Sequence, residues 1–308
     1  MKRLQNRIAE SRRTLPIAIL YGIGIWLASG MVQHHWWFQF ACFFTAVYAM
    51  IHLNNINMLI RVYSRMVSVA YIMLGCSAVW LFSSVHASIV QVCTILILLL
   101  LFASYQDTRA IGKMYYVFLL ISLVSLAEPY FLLFTPIIYL LMGTTVYSMS
   151  IRSFLATVLG LITPYWFYMG WQLFTHIKEP STMLSFLSHF KDMSWSPDYT
   201  ALTLPQLIYF GLLVVLFVVG AIHFWLTSYM DKIRVRNIYA SLNLLTLYSF
   251  VMMAIQPQAY EVWIQVLTIT VSPIIAHFIS LTRTRMSNIF FIVVTAVVLF
   301  LTGMNLWM

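Results

Sequence analysis

Proton transfer, metal binding and charge pairing call on Asp, Glu and His, and this 308-residue chain holds only 8 acids and 8 histidines. Five acids are candidates for a catalytic role: Glu128, Glu179, Asp192, Asp198 and Glu261. Glu128 stands out, because Ala127-Glu128-Pro129 lies between two apolar segments. Its proline neighbour biases it towards an extended backbone. It reads either as a solvated turn acid or as a group below the surface that needs a partner. Glu261 opens another apolar run, where a negative charge favours a helix N-terminus by about 0.3–1 kcal/mol. His223 and His277 lie within apolar segments, where two imidazoles can pair across helices or each bond a neighbour. His34, His35, His86, His176 and His189 share one set of linkers with Glu179, Asp192 and Asp198. Their spacing does not suit a metal, since adjacent His34 and His35 diverge on a helix. Cys42, Cys76 and Cys93 sit in apolar runs and read as small buried hydrophobes. No metal or cofactor is expected.

These groups must be positioned by a chain that is 62% hydrophobic and 8% charged. An ordinary globular domain has about 45–50% and about 25%. A soluble fold of this length cannot hide so much apolar surface, so the composition predicts an all-α, polytopic integral membrane protein. The net charge of +9 does not indicate nucleic acid. The basic residues form short clusters between apolar runs, where they set topology and meet anionic lipid headgroups.

Eleven segments are candidate spans: 15–32, 37–53, 67–84, 86–104, 115–127, 130–147, 154–175, 205–228, 237–255, 260–280 and 288–307. All but Lys178 and Lys191 of the 17 basic residues fall in the N-terminal tail 1–14 or in alternate linkers. The positive-inside rule then places the N-terminus in the cytoplasm and the C-terminus outside. Segment 115–147 reads as a full hairpin or a re-entrant one. Leu15–Val32 after a basic tail also has the form of a signal peptide, but its length and the spans that follow favour an uncleaved helix. The chain forms a single transmembrane domain, 1–308. Its linker 53–66 is expected as an amphipathic helix on the cytoplasmic surface, with Asn54, Asn57, Arg61 and Arg65 on one stripe. Loop 176–204 is the one sizeable extracytoplasmic element. Pro205 suits a helix start, Ser287-Asn288 a cap, and Trp36, Trp37, Trp171, Trp195, Trp263 and Trp307 an interfacial belt. Pro136, Pro164 and Pro273 are expected to kink their helices. Arg61, Arg65, His34, His35 and Trp195 are the expected lipid or substrate contacts, as cationic and aromatic groups at headgroup depth.

Two resemblances bear on function. Leu53-Asn54-Asn55, Leu59 to Met66, Arg152-Ser153-Phe154 and Gly160 to Phe167 resemble segments of an uncharacterised family of multi-pass inner-membrane proteins from Bacteroidota. The resemblance implies a bacterial inner-membrane location and no particular activity. The stretch Ser125 to Pro136 is similar to a helical hairpin in glycosyltransferases of the GT-C architecture, which use polyprenyl-phosphate sugars. Those enzymes hold an acid in the first outer loop, which here reads Gln33-His34-His35-Trp36. Three readings follow. One is a membrane protein that binds lipid, including a polyprenyl-phosphate lipid, or envelope components as a complex subunit without catalytic machinery. Another is a GT-C-like enzyme, which requires Glu128 and a second outer acid to converge. The last is a secondary transporter, which requires a polar path past His223, His277, Asn243 and Gln265.

Overall fold

The computed structural model describes residues 3–175, 197–200 and 202–307. Within them the chain is helical, with no strand. The α-helices are α1 (Leu4–Glu10), α2 (Thr14–Ala28), α3 (Trp37–Asn57), α4 (Met66–Ser77), α5 (Val85–Ala103) and α6 (Ile111–Ser125). They continue as α7 (Phe134–Thr144), α8 (Ile151–Thr175), α9 (Leu204–Thr227), α10 (Ile233–Ile255), α11 (Tyr260–Leu281) and α12 (Arg285–Trp307). Every expected span overlaps one of these helices. Five stretches are long and apolar enough to cross a membrane: Val85–Ala103, Leu204–Met230, Ile233–Ile255, Pro257–Leu281 and Arg285–Trp307. α2, α4, α6 and Pro129–Thr144 are apolar but shorter.

The surface of the bundle is that of a membrane protein. Leu159, Trp166 and Phe167 on α8 and Phe300 on α12 are exposed, while Ser122, Thr157, Thr246 and Thr270 are buried. Water would penalise this distribution, and hydrocarbon accepts it. With lipid tails as apolar as leucine, helices associate through close packing and hydrogen bonds. α6 and α8 show both. Ser122 Oγ donates to the Leu161 carbonyl at 2.6 Å, Tyr115 OH to Thr163 Oγ1 at 3.2 Å, and Ser125 Oγ meets Tyr165 OH at 2.6 Å. Gly160 lets the backbones touch, since a Cβ there would lie 2.5 Å from the Tyr115 carbonyl oxygen. α11 forms the centre and is almost wholly buried. Gly220 of α9 packs on it, where a Cβ would lie 2.7 Å from Ile274 Cγ2.

The charged linkers gather at one end of the bundle. Gln5 of α1 bonds the Ile279 carbonyl and Thr282, Ser64 bonds Ser280, and Arg234 bonds Asn57 and the Phe102 carbonyl. Gln106 N donates to the Val146 carbonyl, and Ser150 Oγ to that of Thr108. This is the basic end. At the opposite end Ser84 meets Glu261, His86 meets Glu128, and Asn305 bonds the Ser77 carbonyl.

Several local expectations are corrected. No amphipathic helix lies over 53–66. α3 runs on to Asn57 and stops at Met58, whose φ of 48° is left-handed. The chain then tucks inward, burying Leu59 and Ile60. Asn54 Nδ2 donates to the Ser64 carbonyl at 3.1 Å and Asn57 Nδ2 to that of Leu53 at 3.0 Å, so the asparagines brace a folded loop instead of facing water. The last helix starts before Ser287-Asn288: Thr284 Oγ1 accepts from Ser287 N, and Asn288 Oδ1 accepts from Gln5 N. Trp263 is fully buried among the helices. Pro136 lies in the first turn of α7, where its missing N–H is harmless, whereas Pro164 and Pro273 are internal to α8 and α11. Pro205 does open a helix, after a capping box formed by Thr203 and Gln206.

Candidate functional site

Glu128, Glu261 and His86 converge at the opposite end. Ser84 caps α5, accepting from Ala87 N at 3.2 Å, and its hydroxyl donates to Glu261 Oε2 at 2.5 Å. His86, two residues on, places Nδ1 2.7 Å from Glu128 Oε1. Glu128 is held there by the tight turn after α6, with its N–H on the Val124 carbonyl at 2.9 Å. Partial burial raises the Glu128 pKa, the His86 partner opposes this, and the negative Glu261 adds to it. The hairpin tip thus stands level with the start of α5, a full 19-residue helix. Beneath it, Ser88 and Gln91 of α5 face Gln265 and Thr268 of α11 across a cavity of about 10 Å³, the lower limit for one water. Carboxyl, imidazole and a second carboxylate can pass a proton to or from a bound group.

The other expected acids do not join it. Asp198 turns back on its own loop, accepting from Thr200 N at 2.9 Å and Thr200 Oγ1 at 2.6 Å, bonds that hold its pKa below the usual value. Glu179, Asp192 and Trp195 lie outside the described residues. His34 stacks on Trp36, and exposed His35 adopts a positive φ of 58°, both in the turn between α2 and α3.

A second cluster is buried at the basic end. His277 Nε2 lies 3.1 Å from Asp231 Oδ2, with the two side chains 0% and 2% exposed. Arg61 Nη1 is 3.9 Å from Asp231 Oδ1. His223 and His277 do approach each other, with ring centroids 5.5 Å apart. Asp231 was not legible as part of a site, because Met230-Asp231-Lys232 reads as a solvated turn; only its position after His223 at a helix end hinted at a partner.

Beside His277 lies an apolar groove of about 320 Å³. α2 and α12 form its walls with Ile17, Tyr21, Phe291 and Leu299, while Met66 to Leu74 of α4 and Ile275 and Ile279 of α11 form its floor. Ile17 and Leu299 are 63% and 45% exposed, so it opens sideways to the surroundings. Met66 to Leu74 spans ~12 Å at 1.5 Å per residue, close to the ~15 Å of one hydrocarbon leaflet. Its end towards the basic linkers is formed by Ile8, Thr14 and Met66. Arg12 and Arg65, two residues before Thr14 and one before Met66, converge on one ring, their guanidinium carbons 5.9 and 5.7 Å from the centroid of Tyr63. Neither has a carboxylate partner among the described residues. Arg61 turns away to Asp231, so the two expected lipid-contact arginines have different surroundings.

Comparison with protein-family models, curated proteins and solved structures finds no match for this chain.

Proposed function

We propose that the chain is a multi-pass protein of a bacterial inner membrane that holds an anionic, phosphate-headed lipid, with one chain in the α2–α12 groove and the phosphate on Arg12 and Arg65. In this reading eleven helical segments cross the bilayer, with the N-terminus and basic end in the cytoplasm and the C-terminus outside. The gathering of the basic linkers at one end supports that orientation. The level of Glu128 with His86 supports a full hairpin over 115–147.

The observation that carries the lipid reading is the pair of guanidinium groups, without a carboxylate partner among the described residues, borne by Arg12 and Arg65 within two residues of the Thr14 and Met66 that line one end of the apolar groove. Moving a chain from bilayer to groove gains little hydrophobic energy, because both are apolar. Selection therefore rests on the headgroup, at about 1 kcal/mol per basic residue at the membrane surface. Replacing both arginines by alanine removes about 2 kcal/mol, roughly thirty-fold in affinity. The test is native mass spectrometry of the purified protein equilibrated with phosphatidylglycerol, undecaprenyl phosphate or phosphatidylcholine. The wild type is expected to retain the two anionic lipids over phosphatidylcholine, and Arg12→Ala/Arg65→Ala to lose that preference. An unchanged preference in the double variant overturns the reading.

A second reading is favoured by the convergence of His86, Glu128 and Glu261. It is an enzyme of GT-C-like type, working on a polyprenyl-phosphate sugar at the opposite face, with Glu128 and His86 as the proton-transfer pair.

A further inference from the structure

The Asp231–His277 pair and the groove occupy two faces of the same short stretch of α11. Ile275 and Ile279 face the groove, and His277 between them faces Asp231. His277 uses Nε2 on the carboxylate, and its Nδ1 is buried without a partner. Nδ1 of His223, the next imidazole, is likewise buried and unpartnered. A buried polar atom left unbonded costs about 1–3 kcal/mol, and intramembrane His–carboxylate pairs are the groups that proton relays use. Among the described residues, the charged side chain that reaches Asp231 besides His277 is Arg61, whose side chain is 33% exposed. Arg61 is two residues from Tyr63, the ring on which Arg12 and Arg65 meet.

We propose that Asp231 and His277 form a proton-binding site that releases Arg61 to the lipid phosphate when it is protonated; this rests on the lipid reading above. With His277 neutral, the buried Asp231 carboxylate needs Arg61 as its counter-charge, because an unpaired buried charge is costly. When His277 takes a proton from solvent at the basic end, imidazolium and carboxylate balance each other. Arg61 is then free to swing towards Arg12 and Arg65 as a third guanidinium. The other titratable or charged groups around α11 are few. α10 brings Tyr239, with its ring 4.8 Å from His277, and Arg234, held by Asn57 and the Phe102 carbonyl. α1 brings Arg7 and Glu10, the latter paired with Arg283, and α12 brings Arg285. α4 offers Tyr71 and Cys76, and α5 offers Cys93 and, at the opposite end, His86.

The test is phosphatidylglycerol retention by the full-length protein between pH 5.5 and 8, read by native mass spectrometry against phosphatidylcholine. The wild type is expected to bind about five-fold more tightly at the acid end, the effect of one added cation at a membrane phosphate. His277→Gln is expected to give the weak, high-pH affinity throughout. Arg61→Ala is expected to lose the pH dependence as well. Asp231→Asn leaves Arg61 without its anchor, and is expected to bind tightly at every pH, which a variant that merely loosened the fold would not do. Thermal melting of each variant in detergent reports whether it is folded. A wild type that binds equally at all pH values overturns the proton link and leaves the lipid site standing. A wild type that retains no phosphatidylglycerol at any pH overturns both. Weakened binding by a folded Asp231→Asn also overturns the link.

Discussion

At the scale of single residues, polar side chains here act in pairs. Glu128 is the clearest case. Burial and Glu261 raise its pKa and His86 works against them. A carboxyl whose folded pKa is raised binds its proton more tightly in the folded than in the unfolded chain. Its contribution to stability is thus fully present below the unfolded value and is lost as pH rises through the raised folded value. Glu128→Gln stays neutral, so its melting temperature relative to wild type is expected to improve between pH 4 and pH 8. The difference should be under about 1 kcal/mol, because the pair is near the surface. A gap that is constant with pH removes the burial argument. Glu128 was legible in the sequence because an acid before proline between apolar runs is rare. His86 was visible only as one of several linker histidines, since the 41 residues between it and Glu128 carry no pattern. Asp231 was invisible for a similar reason: its inward orientation depends on packing, not on its neighbours in the chain.

At the scale of elements, apolar segments mark helices well and their ends less well. The last helix was expected at Asn288 and starts at Arg285, because Thr284 supplies the cap. The loop after α3 shows the limit more sharply. Asn54, Asn57, Arg61 and Arg65 have helical spacing, yet Met58 turns left-handed and the asparagine amides bond backbone carbonyls within the segment. A stripe of polar residues fits a surface helix and a braced loop equally, and tertiary contact decides between them. Packing between helices was also hidden, since no pattern singles out Gly160 among the 11 glycines. Gly160→Ala would press a methyl group against the Tyr115 carbonyl of α6. Overpacking of this kind costs about 1–3 kcal/mol. The expected outcome is a lower melting temperature in detergent, whereas Gly170→Ala, with open space around it, is expected to be neutral. Equal melting of the two variants contradicts the close approach of α6 and α8.

At the scale of the whole molecule, the two ends differ in chemistry and the helix at the centre, α11, is almost wholly buried. The basic end combines Arg12 and Arg65 on the Tyr63 ring, a buried Asp231–His277 pair and one end of the groove. The opposite end holds the His86–Glu128 pair with Glu261. Charge counting in linkers anticipated this polarity, because lysine and arginine placement is a property of the linear chain. The groove could not be anticipated. It is the space left between α2 and α12, and its lining comes from segments nearly 300 residues apart. In the proposed function an anionic, phosphate-headed lipid fills that space. Ala70 lies on the groove floor, so Ala70→Trp would occupy it while leaving Arg12 and Arg65 in place. The decisive measurement is native mass spectrometry of wild type and Ala70→Trp, both purified from their own membranes. One anionic, phosphate-headed lipid per wild-type chain, absent from the variant, is the predicted result. An empty wild type, or the same lipid retained equally by both, would contradict it.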